Sequence, residues 1–458
     1  MTLDEIAKVT GGRLVNATPS VIVSGPVEYD SRKIGPGGLF VAFPGEKVDG
    51  HDFAPTAMAA GAAAVLSTRD TGHPGVVVEE PLVALAALAR AVVSRLPELT
   101  VVGLTGSSGK TTTKDYIGQL LARLGPAIAP AGSLNNELGF PYTVLQATEE
   151  TRFLVLEMGA RGIGHIRYLC DIARPNVGLV LNIGAAHIGE FGSVEGTAQA
   201  KGELVEALSP AGVAVLNADD PLVAGMAPRT SARVLLTGES ADAAVRATEV
   251  SLDGAGRASY TLSFDGHSGH VRLAVAGRHQ VANTLAAAGV ALTLGMDFDD
   301  LVAALGAVGI VSSRRMDVFT RPDGVTVIDD SYNANPSSTA AALHALAAMK
   351  AGGRRIAVLG YMAELGSHEV SGHVEVGRLA AELGVDRLIV VAANARPILD
   401  GASEVEGWHG TAIFAEDQTV ALGIVTGDLR DGDVVLVKGS RYRTWDVVDG
   451  LRPEGGRP

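Results

Sequence analysis

Cysteine occurs once in the 458 residues, at Cys170. An internal disulfide and a multi-cysteine zinc site are therefore excluded. Cys170 lies in an apolar stretch, 166–172, where a buried thiol is expected rather than a nucleophile. Basic excess is also missing: Lys+Arg 37 against Asp+Glu 51 gives a formal net charge of −14. A general nucleic-acid binder needs cations to neutralise phosphates, so that class is set aside. Any phosphate ligand must meet local cations, backbone N–H groups or metal ions. No positive leader opens the chain, because Asp4 and Glu5 stand where a signal peptide carries charge of the other sign. The most apolar run, 82–88, meets Arg90 and is too short to span a bilayer. The expectation is a cytoplasmic protein, and nothing in the sequence demands more than a monomer. Short-period repeats and coiled-coil heptads are lacking too.

What is present is ample core: 47% hydrophobic residues, 19% charged, with Gly 57 and Pro 20. At roughly 100–200 residues per domain this length suggests two to four domains, and the texture predicts three. Residues 1–98 mix short apolar runs with turn signals and close on a helical segment before Pro97. Residues 99–311 alternate apolar runs (100–104, 153–157, 177–182, 213–217) with helical patterns, which argues for a parallel sheet. Within them, 247–275 reads as a β-hairpin excursion and 280–294 as an Ala-rich helix. Residues 312–458 repeat the texture (325–329, 356–360, 388–392, 434–438) as a doubly wound α/β domain. The fold class is thus α/β, with a central parallel-sheet domain, a smaller N-terminal α/β domain and a doubly wound C-terminal one. Several strands end on polar groups, at Glu157, Asn182, Asp329, Asp330 and Lys438. Ligands of open parallel sheets bind beyond such ends, which points to a site where two domains face each other.

The most specific signal is GLTGSSGKTTTK (103–114), which follows a strand and opens a helix whose Ile117, Leu120, Leu121 and Leu124 form one apolar face. Gly106 and Gly109 let the backbone wrap closely, so that N–H groups of Ser107, Ser108 and Thr112 can point at phosphate oxygens. The helix N-terminus adds partial positive charge. Lys110 can reach the β- and γ-phosphates, and the Thr111 hydroxyl can ligate Mg²⁺. The strict Walker pattern has glycine where this chain has Leu104. ATP or GTP is the expected ligand, with Glu157 and His187 as candidate metal ligands. On spacing alone a hydrogen-bonded loop residue is the favoured reading of His187 over a metal ligand.

These residues together resemble the Mur ligases, the ATP-dependent amino-acid-adding enzymes of peptidoglycan synthesis, over nearly the whole chain. The similar blocks are TGSSGKTTTK, LEMGA (156–160), NIGAAHIGEFGS (182–193), AKGE (200–203), GRHQVANTLAA (277–287), DDSYNANP (329–336), MAELG (362–366) and VKGSR (437–441). NNELGFP (135–141), SYNANP and the N-terminal segment 29–53 are most similar to the branch that adds D-alanyl-D-alanine to a UDP-N-acetylmuramoyl-tripeptide. The third residue of that peptide stays open between meso-diaminopimelate and lysine.

The resemblance implies ATP and two Mg²⁺ ions, with Thr111 and Glu157 on the first ion and His187 on the second. It implies that Lys201 is carbamylated by CO₂, that Asn283 reads adenine, that Arg315 reaches the ATP phosphates (its neighbour Arg314 leaves the alignment open by one) and that Asp330 lies near the ribose. Asn333, Asn335 and Lys438 would line the closed cleft; Asn135, Asn136 and Arg161 would face the muramoyl peptide; Ser31 and Arg32 would hold the uridine diphosphate. Tyr361 and Asp446 depart from the family, which has an acidic residue and a glutamate there. The competing readings are another ligase of the superfamily and a P-loop switch or kinase without ligation.

Overall fold

The computed structural model describes residues 1–45, 48–184, 193–440 and 443–453. The chain divides into two compact units, one of residues 1–103, 125–159 and 166–176, the other of 104–124, 160–165 and 177–458. The architecture is mixed α/β with three sheets.

The first sheet lies in the first unit. Its strands are Arg13–Val15 (β1), Val27–Glu28 (β2), Leu39–Val41 (β3), Ala64–Ser67 (β4) and Gly75–Val77 (β5), in the order β1-β5-β4-β3-β2. Only β1 runs antiparallel. The helix Pro81–Val93 buries Ala84, Leu85 and Leu88 against the same core as Leu39, Val41, Leu66 and Val76. Leu138 and Leu145, which flank the helix Gly139–Val144, also pack into that core. Tyr142 Oη donates to Glu28 Oε1 at 2.9 Å. Segment 125–159 is therefore tied to the N-terminal core by apolar contact.

The second sheet has nine strands. Thr100–Thr105 (β6), Ala127–Ile128 (β7) and Phe153–Glu157 (β8) run in the order β6-β8-β7. Within the second unit Val177–Val180 (β9), Val213–Asn217 (β10), Arg233–Gly238 (β11), Val245–Leu252 (β12), Arg257–Phe264 (β13) and His267–Ala276 (β14) follow in spatial sequence. β9, β10 and β11 are parallel, and β9 and β10 are nearly fully buried, as β-branched and leucine runs without polar alternation require. The expected hairpin at 247–275 is corrected here: β12, β13 and β14 form a three-stranded antiparallel meander. The turn at Asp265–Gly266, both with positive φ, makes the second reversal.

The third sheet lies wholly in the second unit. Asp317–Thr320 (β15), Thr326–Asp330 (β16), Arg355–Leu359 (β17), Arg387–Val391 (β18), Thr411–Ala415 (β19) and Val434–Lys438 (β20) are ordered β15-β16-β20-β17-β18-β19. Alternate residues feed two separate cores. Ile328, Ala357, Leu359, Leu388, Val390 and Leu436 enter one, and Val327, Ile356, Val358, Ile389, Val391, Val435 and Val437 the other. A sheet buried on both faces by helices is doubly wound, and β15 is its antiparallel edge. Among the described residues no helix is long and apolar enough to cross a membrane.

Candidate functional site

β6 ends at Thr105 and the helix Lys110–Leu121 begins five residues later. The turn between them passes through Gly109 at φ +78°, a conformation that costs an L-residue about 1–2 kcal/mol. A Cβ there would also lie 2.5 Å from Asn283 Oδ1, and one on Gly106 would lie 2.9 Å from the Leu181 Cβ. The loop is thus a close backbone wrap that only glycine permits at both corners. Lys110 Nζ folds back over it and donates to Gly106 O at 2.7 Å. Asn182 closes the other side: its Oδ1 accepts from Ser107 N (3.0 Å) and Ser108 N (2.9 Å), and its Nδ2 donates to Ser108 O (3.2 Å). The sequence marks Asn182 only as a polar strand end; its loop-shaping contacts depend on β9 lying where it does.

Replacing Gly109 with alanine is expected to destabilise the protein by about 1–2 kcal/mol and to raise the KM for ATP. Denaturant unfolding and initial rates check both; an unchanged KM would separate the Asn283 contact from nucleotide binding.

Asn283 is buried on the helix Gln280–Thr293. Its Nδ2 donates to Gln280 Oε1 at 3.0 Å, which also accepts from Tyr116 Oη at 3.0 Å. Burial pushes the Tyr116 hydroxyl far above its ordinary pKa, so it stays a donor. Asn283 thus faces the loop on a fixed amide, beside a small cavity lined also by Asn182, Asn217, Thr237, Leu181 and Ala286. Asn217 and Thr237 come from two different strands, and no sequence spacing joins them.

Lys201 is buried on the helix Val194–Glu206, whose N-terminus is capped by the Ser193 hydroxyl. Burial, with the charge of Lys110 adding to it, pulls the Lys201 ammonium down to about 7 from its ordinary 10.5. A large share of its amine is therefore neutral near neutral pH.

Arg315 brings its guanidinium to the same loop. Its Nη2 is 3.4 Å from Thr111 Oγ1, and its plane stacks on Tyr332 at 4.2 Å. Arg314 points elsewhere: it pairs with Asp449 at 2.8 Å and stacks on Trp445. Asp330 and Lys438 form a buried pair at 2.5 Å, and Lys438 Nζ also donates to Asn333 O at 3.0 Å. Asp330 Oδ1 accepts from Met316 N at 3.2 Å.

In the first unit, Glu157 ends β8 with one carboxylate oxygen held by two donors, Ser133 Oγ and Asn135 Nδ2, each at 2.7 Å. Asn135 therefore acts on Glu157. Asn136 Oδ1 accepts from Gly139 N at 2.8 Å. Asn335 Oδ1 caps the helix Pro336–Ala348 through Ser338 N at 2.8 Å. Ser31 is buried, whereas Arg32 is exposed and pairs with Asp30 through two hydrogen bonds, 2.8 and 2.7 Å. Arg161 is exposed. Tyr361 stacks on His373 at 5.3 Å, a packing role for the residue that replaces the family's acid. Asp446 pairs with Gln418 at a helix start: its backbone N–H donates to Gln418 Oε1 at 2.9 Å and its Oδ2 accepts from Gln418 Nε2 at 3.2 Å. His187 lies outside the described residues.

Three family models match consecutive parts of the chain: "Mur ligase family, catalytic domain" over 26–99, "Mur ligase middle domain" over 104–291 and "Mur ligase, glutamate ligase domain" over 314–441. The UDP-N-acetylmuramoyl-tripeptide–D-alanyl-D-alanine ligase of Mycobacterium tuberculosis is 47% identical, with 96% of this chain and 95% of that protein covered. The enzyme of the same name from Escherichia coli is 36% identical over 100% of this chain and 99% of its own. Among solved structures, MurF from Acinetobacter baumannii superposes with a TM-score of 0.87 at 33% identity, covering 98% of both chains. MurF ligase from Thermotoga maritima in complex with ADP gives 0.80 at 30% identity, covering 94% of this chain and 97% of that one.

Proposed function

The chain belongs to the Mur ligase family, and from that premise we propose that it joins D-alanyl-D-alanine to UDP-N-acetylmuramoyl-tripeptide at the expense of ATP. The identity of 47% over nearly the full length to a ligase of that name supports this member of the family. The observation that carries the chemistry is the gathering of Lys110, Thr111, Asn283 and Arg315 around one glycine-cornered loop, with the buried amine of Lys201 within reach of the charge of Lys110.

A carboxylate is a poor electrophile, so activation must precede amide formation. A carboxylate oxygen of the tripeptide attacks the γ-phosphorus, the bond to the β,γ-bridging oxygen breaks, and ADP leaves. The amine of the dipeptide then attacks the acyl carbon, the tetrahedral intermediate expels phosphate, and the nitrogen loses a proton. Both steps crowd anions together. Lys110, Arg315 and the N–H groups of Gly109 and Thr112 at the helix start are proposed to offset that repulsion; the N–H groups of Ser107 and Ser108, expected from the sequence to point at phosphate, donate to Asn182 Oδ1 instead.

Thr111 and Glu157 are proposed as donors to Mg²⁺ on the strength of the family resemblance, since a hydroxyl and a carboxylate are hard oxygen donors of the kind that ion takes. When bound it would neutralise charge on the transferred phosphoryl group. His187 is proposed for a second ion, and Lys201 as a carbamate, on the strength of the family resemblance; the low ammonium pKa of Lys201 supports the latter. Asn283 is proposed to read the adenine edge and Asp330 to lie near the ribose. Ser31 and Arg32 are proposed for the uridine diphosphate, with Asn135, Asn136 and Arg161 toward the muramoyl peptide. Asn333, Asn335 and Lys438 are proposed for the cleft, Asn335 with only its amide nitrogen to spare.

The proposed domains, 1–98, 99–311 and 312–458, are supported by the three matched ranges. One chain supplies every residue named, so the reading needs no second copy, and its use of ATP suits the cytoplasm.

The test is ADP release with an amine panel. Turnover is expected only when both the UDP-muramoyl tripeptide and D-alanyl-D-alanine are present. Full-rate ADP release without the dipeptide would favour a P-loop switch, and a preference for a single diamino acid would favour the preceding ligase of the family.

A further inference from the structure

The helix Lys110–Leu121 and segment 309–315 lie in the same unit and make a regular ladder. Thr111, Asp115 and Gln119 are spaced by four, so they share one face of the helix. Gly309, Ser312 and Arg315 are spaced by three along the chain that leads out of the helix Phe298–Leu305. Gln119 pairs with both backbone groups of Gly309: its Nε2 donates to Gly309 O at 2.9 Å and its Oε1 accepts from Gly309 N at 3.0 Å. Asp115 Oδ2 accepts from Ser312 N at 2.8 Å, with both residues buried. The third rung is Arg315 Nη2 against Thr111 Oγ1. The segment thus runs back along the helix toward its N-terminus, and two fastened rungs set where the third falls.

The register matters because two arginines are adjacent. Arg314 and Met316 both have positive φ, +61° and +53°, so the backbone turns sharply on each side of Arg315. Such residues persist only where surrounding contacts fix them. A slip of one residue would bring Arg314 or Met316 to Thr111.

We propose that Gln119 and Asp115 are positioning residues that set the register of segment 309–315 and so deliver Arg315, rather than Arg314, to the phosphate loop. The inference rests on the reading of Arg315 as a contact to the ATP phosphates. Gln119 is the better handle, since a single amide makes both hydrogen bonds of its rung and is itself only half-buried.

The experiment is a double-mutant cycle on the full chain, read by ADP release with ATP varied and with melting temperatures measured alongside. Gln119→Leu keeps the size and removes both bonds; it is expected to lower kcat by about ten-fold or more with a smaller change in the KM of the uridine substrate. In an Arg315→Ala background the same substitution is expected to cost less than about two-fold, because the group it positions is gone. Gln119→Met, which keeps the length of the side chain and removes both bonds without adding charge, serves if the leucine variant does not fold; a comparable loss with the same background dependence is expected. An equal loss with and without Arg315 would show a merely structural role and overturn the proposal. So would wild-type kcat in Gln119→Leu beside a crippled Arg315→Ala. Wild-type activity in Arg315→Ala itself would instead overturn the reading of Arg315, and this inference with it.

Discussion

Replacing Lys110 by alanine is expected to cut ADP formation by about 10³-fold or more, the scale of losing a cation aimed at a transferring phosphoryl group. In the structure Nζ rests on Gly106 O at 2.7 Å, across the turn it belongs to. An ammonium so placed exchanges a carbonyl for a phosphate oxygen by rotating its own side chain, without moving the backbone. Nothing else in the turn supplies a full charge: Ser107, Ser108 and Thr111 offer only N–H and hydroxyl dipoles. The loss should appear in kcat; the hydrogen bond to Gly106 O that the substitution forfeits in the folded state is worth only about 1 kcal/mol. Lys110→Arg should recover little, since a planar fork does not reproduce a point charge. Alanine at this position with activity within ten-fold of wild type would remove the phosphate-loop reading altogether.

Lys201→Ala is expected to be nearly as damaging, at about 10²-fold or more, and short carboxylates added to the assay should restore part of the rate. The argument begins from burial. The amine is enclosed, Lys110 adds like charge, and the ammonium is held at about 7. A neutral amine can attack CO₂, forming an N–C bond and releasing one proton, and the buried cation becomes an anion. The sign of the pH effect follows. Below about 7 the amine is protonated and cannot react, so in CO₂-limited buffer activity should fall as pH drops through that value. Stability moves in the same sense: between about 7 and 10.5 the unfolded chain binds the extra proton and the folded one does not, so this group makes folding more favourable as pH rises. A carbamate carbon resonance after ¹³C-bicarbonate addition, lost in Lys201→Ala, would confirm the modification. An active, metal-loaded enzyme with an unmodified Lys201 would refute it.

Much of this was legible in the residues because the signals were local. Gly106, Gly109 and Lys110 announce a phosphate loop through spacing alone, and the parallel strands announce themselves as short buried runs between helices. Roles that depend on tertiary partners were not legible. An asparagine that holds a backbone N–H and one that meets a ligand look alike in sequence: the oxygens of Asn136 and Asn335, both proposed for substrate, also hold Gly139 N and Ser338 N, contacts that no motif announces. Asn135 likewise orients Glu157. The choice between Arg314 and Arg315 turned on which helix face held the preceding segment, and Gln119, the residue that holds it, belongs to no motif. The meander of β12 to β14 shows the same limit: alternation marks strands but does not count the reversals between them.

The packing of Leu138 and Leu145 among Leu39, Leu66 and Leu85 has a practical corollary. An excised piece ending near residue 98 would leave part of its own interior behind on the discarded portion. The first hundred residues are thus not a detachable cassette, and chimaeras that exchange them between relatives should carry the helix Gly139–Val144 along as part of the graft.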